Sequence, residues 1–270
     1  MEDYIDFIKL GILGIGVIIV TKYALIQGIL WVSSHWRVPR KVQGQILGYA
    51  TSAPELVGTL ATASKGLLGA GLWNVASSNI INVVLFFSAA MVYKRTHPLK
   101  QTKFIDEIGF ALGAIALPAL LVTQKELAES PWVALFLFAY FVTYIIVDRK
   151  VNAKTEEESG ATEKGGKGWL GLGLIALGIL GIIVLGHFLG IAAESIVKTM
   201  NVPEWGVGWL LGFITSLPEL TSFFAVFAAS QSEKGDDDIQ QNLDNLAASN
   251  MSNVGLIYPL GIIVAFWVAT

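Results

Sequence analysis

The chain has 270 residues, 54% of them hydrophobic and only 14% charged, with a formal net charge of −3 and a mean hydropathy of +0.62. A soluble domain carries about a quarter charged residues, so this composition excludes an ordinary water-soluble globule and points to an all-α polytopic membrane protein. With no cysteine, disulfides and thiolate metal sites are excluded as well.

The amino terminus carries Glu2, Asp3 and Asp6 and lacks the positive region of a cleaved signal peptide, so the first apolar run reads as a true span. Hydropathy then predicts eight spans, each near the roughly 20 residues a helix needs to cross the hydrocarbon core. They are 10–32, 42–64, 67–92, 108–123, 132–147, 169–197, 207–229 and 246–269. Lys22 falls inside the first and reads as a snorkelling side chain or a packed polar residue, with a role in gating the minority reading. Residues 148–168 are polar and glycine-rich, a linker between a first half (1–147) and a second (169–270). Residues 232–241, with Asp236, Asp237 and Asp238, read as a solvated loop. Of the 18 Lys and Arg residues, 13 lie in loops on the linker's side. The positive-inside rule therefore places the amino terminus outside and the linker in the cytoplasm.

An internal repeat dominates the pattern. At an offset of 164, residues 38–56 match 202–220 at 10 of 19 positions; at an offset of 171, residues 74–85 match 245–256 at 7 of 12. The first repeat spans 38–92 and the second 202–264. Five spans precede the second half, an odd number, so the two copies cross the membrane in opposite directions. An inverted repeat with interrupted helices and a midplane site is a transporter architecture.

Each copy has the same chemistry. Thr51, Ser52, Pro54 and Glu55 recur as Thr215, Ser216, Pro218 and Glu219. The S-x-x-E spacing is that of a capping box, with Pro early in the first turn. In mid-span this predicts an interrupted helix and freed carbonyl oxygens around Gly48–Thr51 and Gly212–Thr215. A plain proline kink beside a buried glutamic acid would explain one copy; two copies, each followed by Ser-Asn-x-x-Asn, favour a site. An intramembrane carboxylate costs about 3 kcal/mol, and with no Lys or Arg near either motif a cation is its natural partner. Asn79/Asn82 and Asn250/Asn253 each lie on one helix face. Asn79 and Asn250 read as interhelical glue, whereas Asn82 and Asn253, with Ser78 and Ser249 one turn earlier, read as site residues. The donor set is all oxygen, which suits a hard cation such as Ca2+. His187 reads as a buried hydrogen-bonding residue and Glu194 as interfacial.

The pattern G-x-x-T-S-x-P-E followed by S-N-x-x-N, twice and inverted, resembles the α-repeats of the sodium/calcium exchanger family, within the cation/Ca2+ antiporter superfamily. The resemblance covers 38–92 and 202–264 and reaches the intervening spans only by topology. It implies that Glu55 and Glu219 bind Ca2+ with the backbone oxygens of Thr51 and Thr215. It also implies that Na+ uses the same glutamates with Ser52, Ser78, Ser216 and Ser249 and backbone oxygens at Gly48 and Gly212. Asn82 and Asn253 correspond to the family's midplane polar pair. Two departures stand out. Several prokaryotic relatives have an Asp where this chain has Asn253, so two carboxylates face the ions rather than three. The family has ten spans against eight here, which leaves two helices absent, outside this sequence, or supplied by a partner or oligomer.

The resulting expectation is a secondary antiporter that exchanges Ca2+ for Na+ by alternating access, with the first and sixth spans sliding. No enzymatic activity, organic cofactor or nucleic-acid partner is expected; the partners are the two ions and the bilayer. An H+/Ca2+ antiporter is the nearest alternative, because a buried Glu can exchange a proton for a cation. A cation channel or a non-transporting module is more distant, since channels are built as rings around a pore and the pseudo-symmetry here lies within one chain.

Overall fold

A computed structural model describes residues 2–94, 96, 105–151, 167–229 and 235–269, and every element among them is helical. In chain order these are α1 (Glu2–Val20), a π-helical turn (Thr21–Ile26), α2 (Gln27–Trp36), α3 (Arg40–Thr51), α4 (Ala53–Ser64), α5 (Leu68–Val92) and α6 (Ile105–Leu121). Then come α7 (Lys125–Ala128), α8 (Pro131–Val151), α9 (Gly168–Met200), α10 (Glu204–Thr215) and α11 (Leu217–Ala229). The chain closes with α12 (Gly235–Ser252), a second π-helical turn (Asn253–Ile257) and α13 (Tyr258–Ala269). Among the described residues, six stretches are long and apolar enough to cross a membrane. With the shorter α6 and the interrupted pair α3–α4, helices occupy all eight expected spans.

The repeat is visible in backbone conformation. Arg37 and Asn201, 164 residues apart, both adopt a left-handed φ of 54° and end the preceding helix. Pro39 and Pro203 follow, with ψ of 143° in both, and start α3 and α10. Each next helix breaks at one residue, Ser52 or Ser216. Pro54 and Pro218 lack the N–H that would continue the ladder to the preceding turn.

Packing follows the same rule, with each interrupted helix lying against the long helix of the other repeat. A Cβ built on Gly48 would sit 2.6 Å from the carbonyl oxygen of Asn245, and one on Gly212 would sit 2.9 Å from that of Asn74. These are equivalent pairs under the two offsets. Only glycine permits the backbones to come this close. The site residues are thereby brought to the centre of the molecule, where α3, α4, α5, α10, α11 and α12 meet.

The remaining helices flank this centre. α1 and α9 lie side by side, tied at one end by Ser195 Oγ donating to Asp6 Oδ2 (2.5 Å), and α9 leans on α4 where Gly190 meets Ala61. α6 and α8 cover α12 and α13, burying Phe141 and Tyr144 with Met251, Val254 and Tyr258. The equivalent face of α5 is bare. Val84, Phe87 and Met91 are exposed, whereas their counterparts Gly255, Tyr258 and Ile262 are buried.

Three expectations need correction. Residues 235–241 are helical, not loop, because α12 runs from Gly235 to Ser252; residues 232–234 lie outside the described residues. Most of the expected linker, 152–166, also lies outside them, and its first residues, 148–151, extend α8 instead. The snorkelling reading of Lys22 needs no correction: it lies in the π-helical turn on the outer surface, 5.4 Å from the centre of the Tyr23 ring. His187 is exposed against the edge of Phe188 rather than buried, because it faces away from the α1 and α4 contacts of α9.

Candidate cation site

Thr51, Ser52, Glu55, Ser78, Asn82, Thr215, Ser216, Glu219, Ser249 and Asn253 are all buried. The break in each interrupted helix is narrower than a capping box would make it. Ser52 has φ −79° and ψ 1°, in the bridge region rather than the extended one, and makes no side-chain cap bond. Its hydroxyl turns back instead, 3.1 Å from the carbonyl oxygen of Gly48, which also accepts from Thr51 Oγ1 at 3.1 Å. The same hydroxyl lies 2.9 Å from Ser249 Oγ across the repeat boundary. Ser216 Oγ, its counterpart, is buried with no partner. The capping-box expectation is therefore corrected in both copies: Ser52 sends its hydroxyl to a preceding carbonyl rather than forward to an N–H, and Ser216 Oγ makes no bond at all.

Four asparagines close the centre through bonds that repeat across the pseudo-two-fold axis. Asn79 Nδ2 donates to the carbonyl oxygen of Asn250, and Asn250 Nδ2 to that of Asn79, each at 3.2 Å. Asn82 Nδ2 donates to Asn250 Oδ1 (3.1 Å) and Ser249 Oγ (3.3 Å); Asn253 Nδ2 donates to Asn79 Oδ1 (2.8 Å) and Ser78 Oγ (3.1 Å). Every donor of Asn82 and Asn253 is thus committed to protein. Their side-chain oxygens are left over, and Asn82 Oδ1 and Asn253 Oδ1 are buried without a partner.

The carboxylates complete the picture. Both oxygens of Glu55 are buried and unpartnered. Glu219 receives Ser249 Oγ at its Oε1 (3.0 Å), while its Oε2 is unpartnered. A buried polar atom without a partner is costly, and here five of them are acceptors: two on Glu55, one on Glu219 and one each on Asn82 and Asn253. A lone proton donor would satisfy one of them, whereas a hard cation satisfies several at once. Among the described residues, no Lys or Arg pairs with either glutamate.

Two features were not legible in the sequence. Asn74 and Asn245, which open the second motif, bond to the interrupted helices rather than standing apart. Asn74 Nδ2 donates to the carbonyl oxygen of Glu55 (3.2 Å) and to Thr59 Oγ1 (3.1 Å). The other is a buried group formed by Glu107, Asp148 and Asp244, whose carboxylate oxygens lie within 4.8 Å of one another. Gln240 Nε2 donates to Glu107 and Asp244, and Gln45 Nε2 to Asp148. The three acids come from α6, α8 and α12, so no local spacing signals them. Glu194 pairs with Lys198 (2.9 Å) and Lys65 (3.3 Å) at the end of α9, away from this centre.

The profile of the sodium/calcium exchanger protein family matches residues 8–148 and 170–269. No curated protein matches the chain significantly. Among solved structures, the sodium-calcium exchanger NCX_Mj soaked with 2.5 mM Na+ and 0.1 mM Sr2+ is similar over 98% of this chain and 87% of its own, at 21% identity and a TM-score of 0.54. The same exchanger soaked with 10 mM Na+ and zero Ca2+ is similar over 98% and 87%, at 21% identity and a TM-score of 0.53. At this identity the likeness carries the fold.

Proposed function

Because the chain belongs to the sodium/calcium exchanger protein family, we propose that it is a secondary antiporter exchanging Ca2+ for Na+ at the centre formed by Glu55 and Glu219. The observation that carries this reading is the set of five buried, unpartnered acceptor oxygens on Glu55, Glu219, Asn82 and Asn253.

In this reading Ca2+ takes the two carboxylates, which neutralise its charge, and the amide oxygens of Asn82 and Asn253. Backbone oxygens of Thr51 and Thr215 add to the set, which suits the six to eight oxygens Ca2+ favours. Na+ competes for overlapping oxygens, with Ser52, Ser78, Ser216, Ser249 and the backbone at Gly48 and Gly212 on its side. The halves 1–147 and 169–270 then alternate access, α1 and α9 sliding as a pair, with the amino terminus outside and the connection between α8 and α9 in the cytoplasm.

The test is Ca2+ uptake by proteoliposomes under an imposed Na+ gradient or an imposed pH gradient. Uptake driven by Na+ and indifferent to pH supports the reading. Uptake driven by the pH gradient alone replaces it with H+/Ca2+ antiport, and no uptake under either removes the antiporter assignment.

A further inference from the structure

Asn74 and Asn245 occupy equivalent places in the two repeats, and neither belongs to the ligand set. Asn74 is fully buried, and its amide holds three groups at once. Besides its bonds to the Glu55 carbonyl and Thr59, its Oδ1 accepts from Thr215 Oγ1 at 3.3 Å. That last bond crosses from the first repeat to the second. It fixes the end of α10 to the start of α4, the helix that carries Glu55.

The equivalent bond on the other side would run from Thr51 Oγ1 to Asn245 Oδ1, and it is not made. Thr51 Oγ1 donates to its own helix at Gly48 at 3.1 Å, whereas Thr215 Oγ1 stands 3.5 Å from the equivalent Gly212 carbonyl and closer, at 3.3 Å, to Asn74 Oδ1. Asn245 Nδ2 donates to Ser222 Oγ at 2.9 Å, and Asn245 Oδ1 is left buried without a partner. The backbones are nonetheless in place, since α3 and α12 are in close contact where Gly48 meets the Asn245 carbonyl. A buried amide oxygen lacking its donor is an unfavourable arrangement, and a donor in the equivalent position stands on the neighbouring helix.

We propose that Asn74 and Asn245 are positioning residues for transport, a pair of inter-repeat latches of which one is closed in each access state. Asn74–Thr215 is closed in the present state, and Asn245–Thr51 closes in the opposite one. The proposal rests on the exchanger reading and on inverted symmetry. When two inverted repeats exchange conformations, the side to which the site opens reverses, and bonds that distinguish the repeats must exchange with them.

The signature of such a latch is directional. A residue that stabilises one access state shifts the apparent Ca2+ KM in opposite directions at the two membrane faces, whereas damage to the ion site raises both. In oriented proteoliposomes, Asn74→Ala is expected to move the two KM values apart by about fivefold, the worth of one neutral hydrogen bond. Asn245→Ala should move them the other way. Thr215→Val breaks the same bond from its far end while leaving the two bonds that Asn74 donates; because the Thr215 side chain also stands beside Glu55, it is paired with Thr215→Ser, which keeps the hydroxyl and must restore the wild-type KM values while Thr215→Val follows the direction of Asn74→Ala.

A second measurement needs no transport. In ion-free protein, Asn74→Ala or Thr215→Val should speed hydrogen exchange over residues 204–215, and Asn245→Ala should not. If the wild type moves no Ca2+, the exchanger reading falls and this comparison alone decides the latch. KM rising at both faces, shifts of the same sign in the Asn74 and Asn245 variants, or equal hydrogen exchange in all would overturn the proposal.

Discussion

Glu55→Gln separates ion binding from folding. The substitution is close to isosteric and removes a carboxylate whose two oxygens have no partner in the protein. In ion-free protein the change deletes a buried charge and keeps a side-chain oxygen for the neighbouring Thr215 hydroxyl, so thermal stability should be unchanged or higher. With Ca2+ present the ranking inverts. Breaking a buried charge pair by removing one partner costs about 3–5 kcal/mol, a rise in Kd of roughly 10²- to 10⁴-fold. At a Ca2+ concentration 100 times the wild-type Kd, the wild type gains about 2.7 kcal/mol of stability, and the variant should gain almost nothing. The assay is thermal unfolding in detergent over a Ca2+ titration, beside Ca2+ uptake in proteoliposomes. A variant stabilised by Ca2+ at the wild-type midpoint would refute the placement of the ion at Glu55. A variant that unfolds even without Ca2+ would show that the carboxylate has a structural partner and that the orphan-oxygen argument is wrong.

Gly48→Ala should cost about 1–3 kcal/mol through overpacking, because its Cβ would press on the Asn245 carbonyl at 2.6 Å; Gly11→Ala, with nothing within 4 Å, is the control in the same unfolding assay. Asn253→Asp adds a third carboxylate for which protons and cations compete, so Ca2+ uptake should fall more steeply as pH is lowered than in wild type. Superimposable pH profiles would argue that Asn253 faces away from the ions. Replacing Asp236, Asp237 and Asp238 together by Ser removes three acidic residues at the start of α12; acidic residues near a helix start are worth about 0.3–1 kcal/mol each. Ca2+ uptake should stay unchanged while hydrogen exchange at residues 235–240 quickens; a large shift in Ca2+ dependence would assign the segment a regulatory role.

Much of the fold is legible in the sequence, because lipid imposes a one-dimensional test. A segment must be apolar over some 20 residues to cross, so hydropathy located all eight helical spans. The doubled Thr-Ser-x-Pro-Glu motif located both breaks for a similarly local reason, since a proline without an N–H interrupts the ladder wherever it stands. The inverted pairing followed from counting crossings. What tertiary structure alone decided are partnerships between helices. Ser52 was expected to cap α4 and instead reaches back to Gly48 and across to Ser249. Asn82 and Asn253 carry their amide oxygens free only because Ser78, Ser249, Asn79 and Asn250 take their donors. Glu107, Asp148 and Asp244 meet although up to 137 residues separate them along the chain. Spacing along a helix says which residues share a face, but which faces meet depends on how closely the helices approach. Here that distance is set by Gly48 and Gly212 against carbonyls on the opposite repeat.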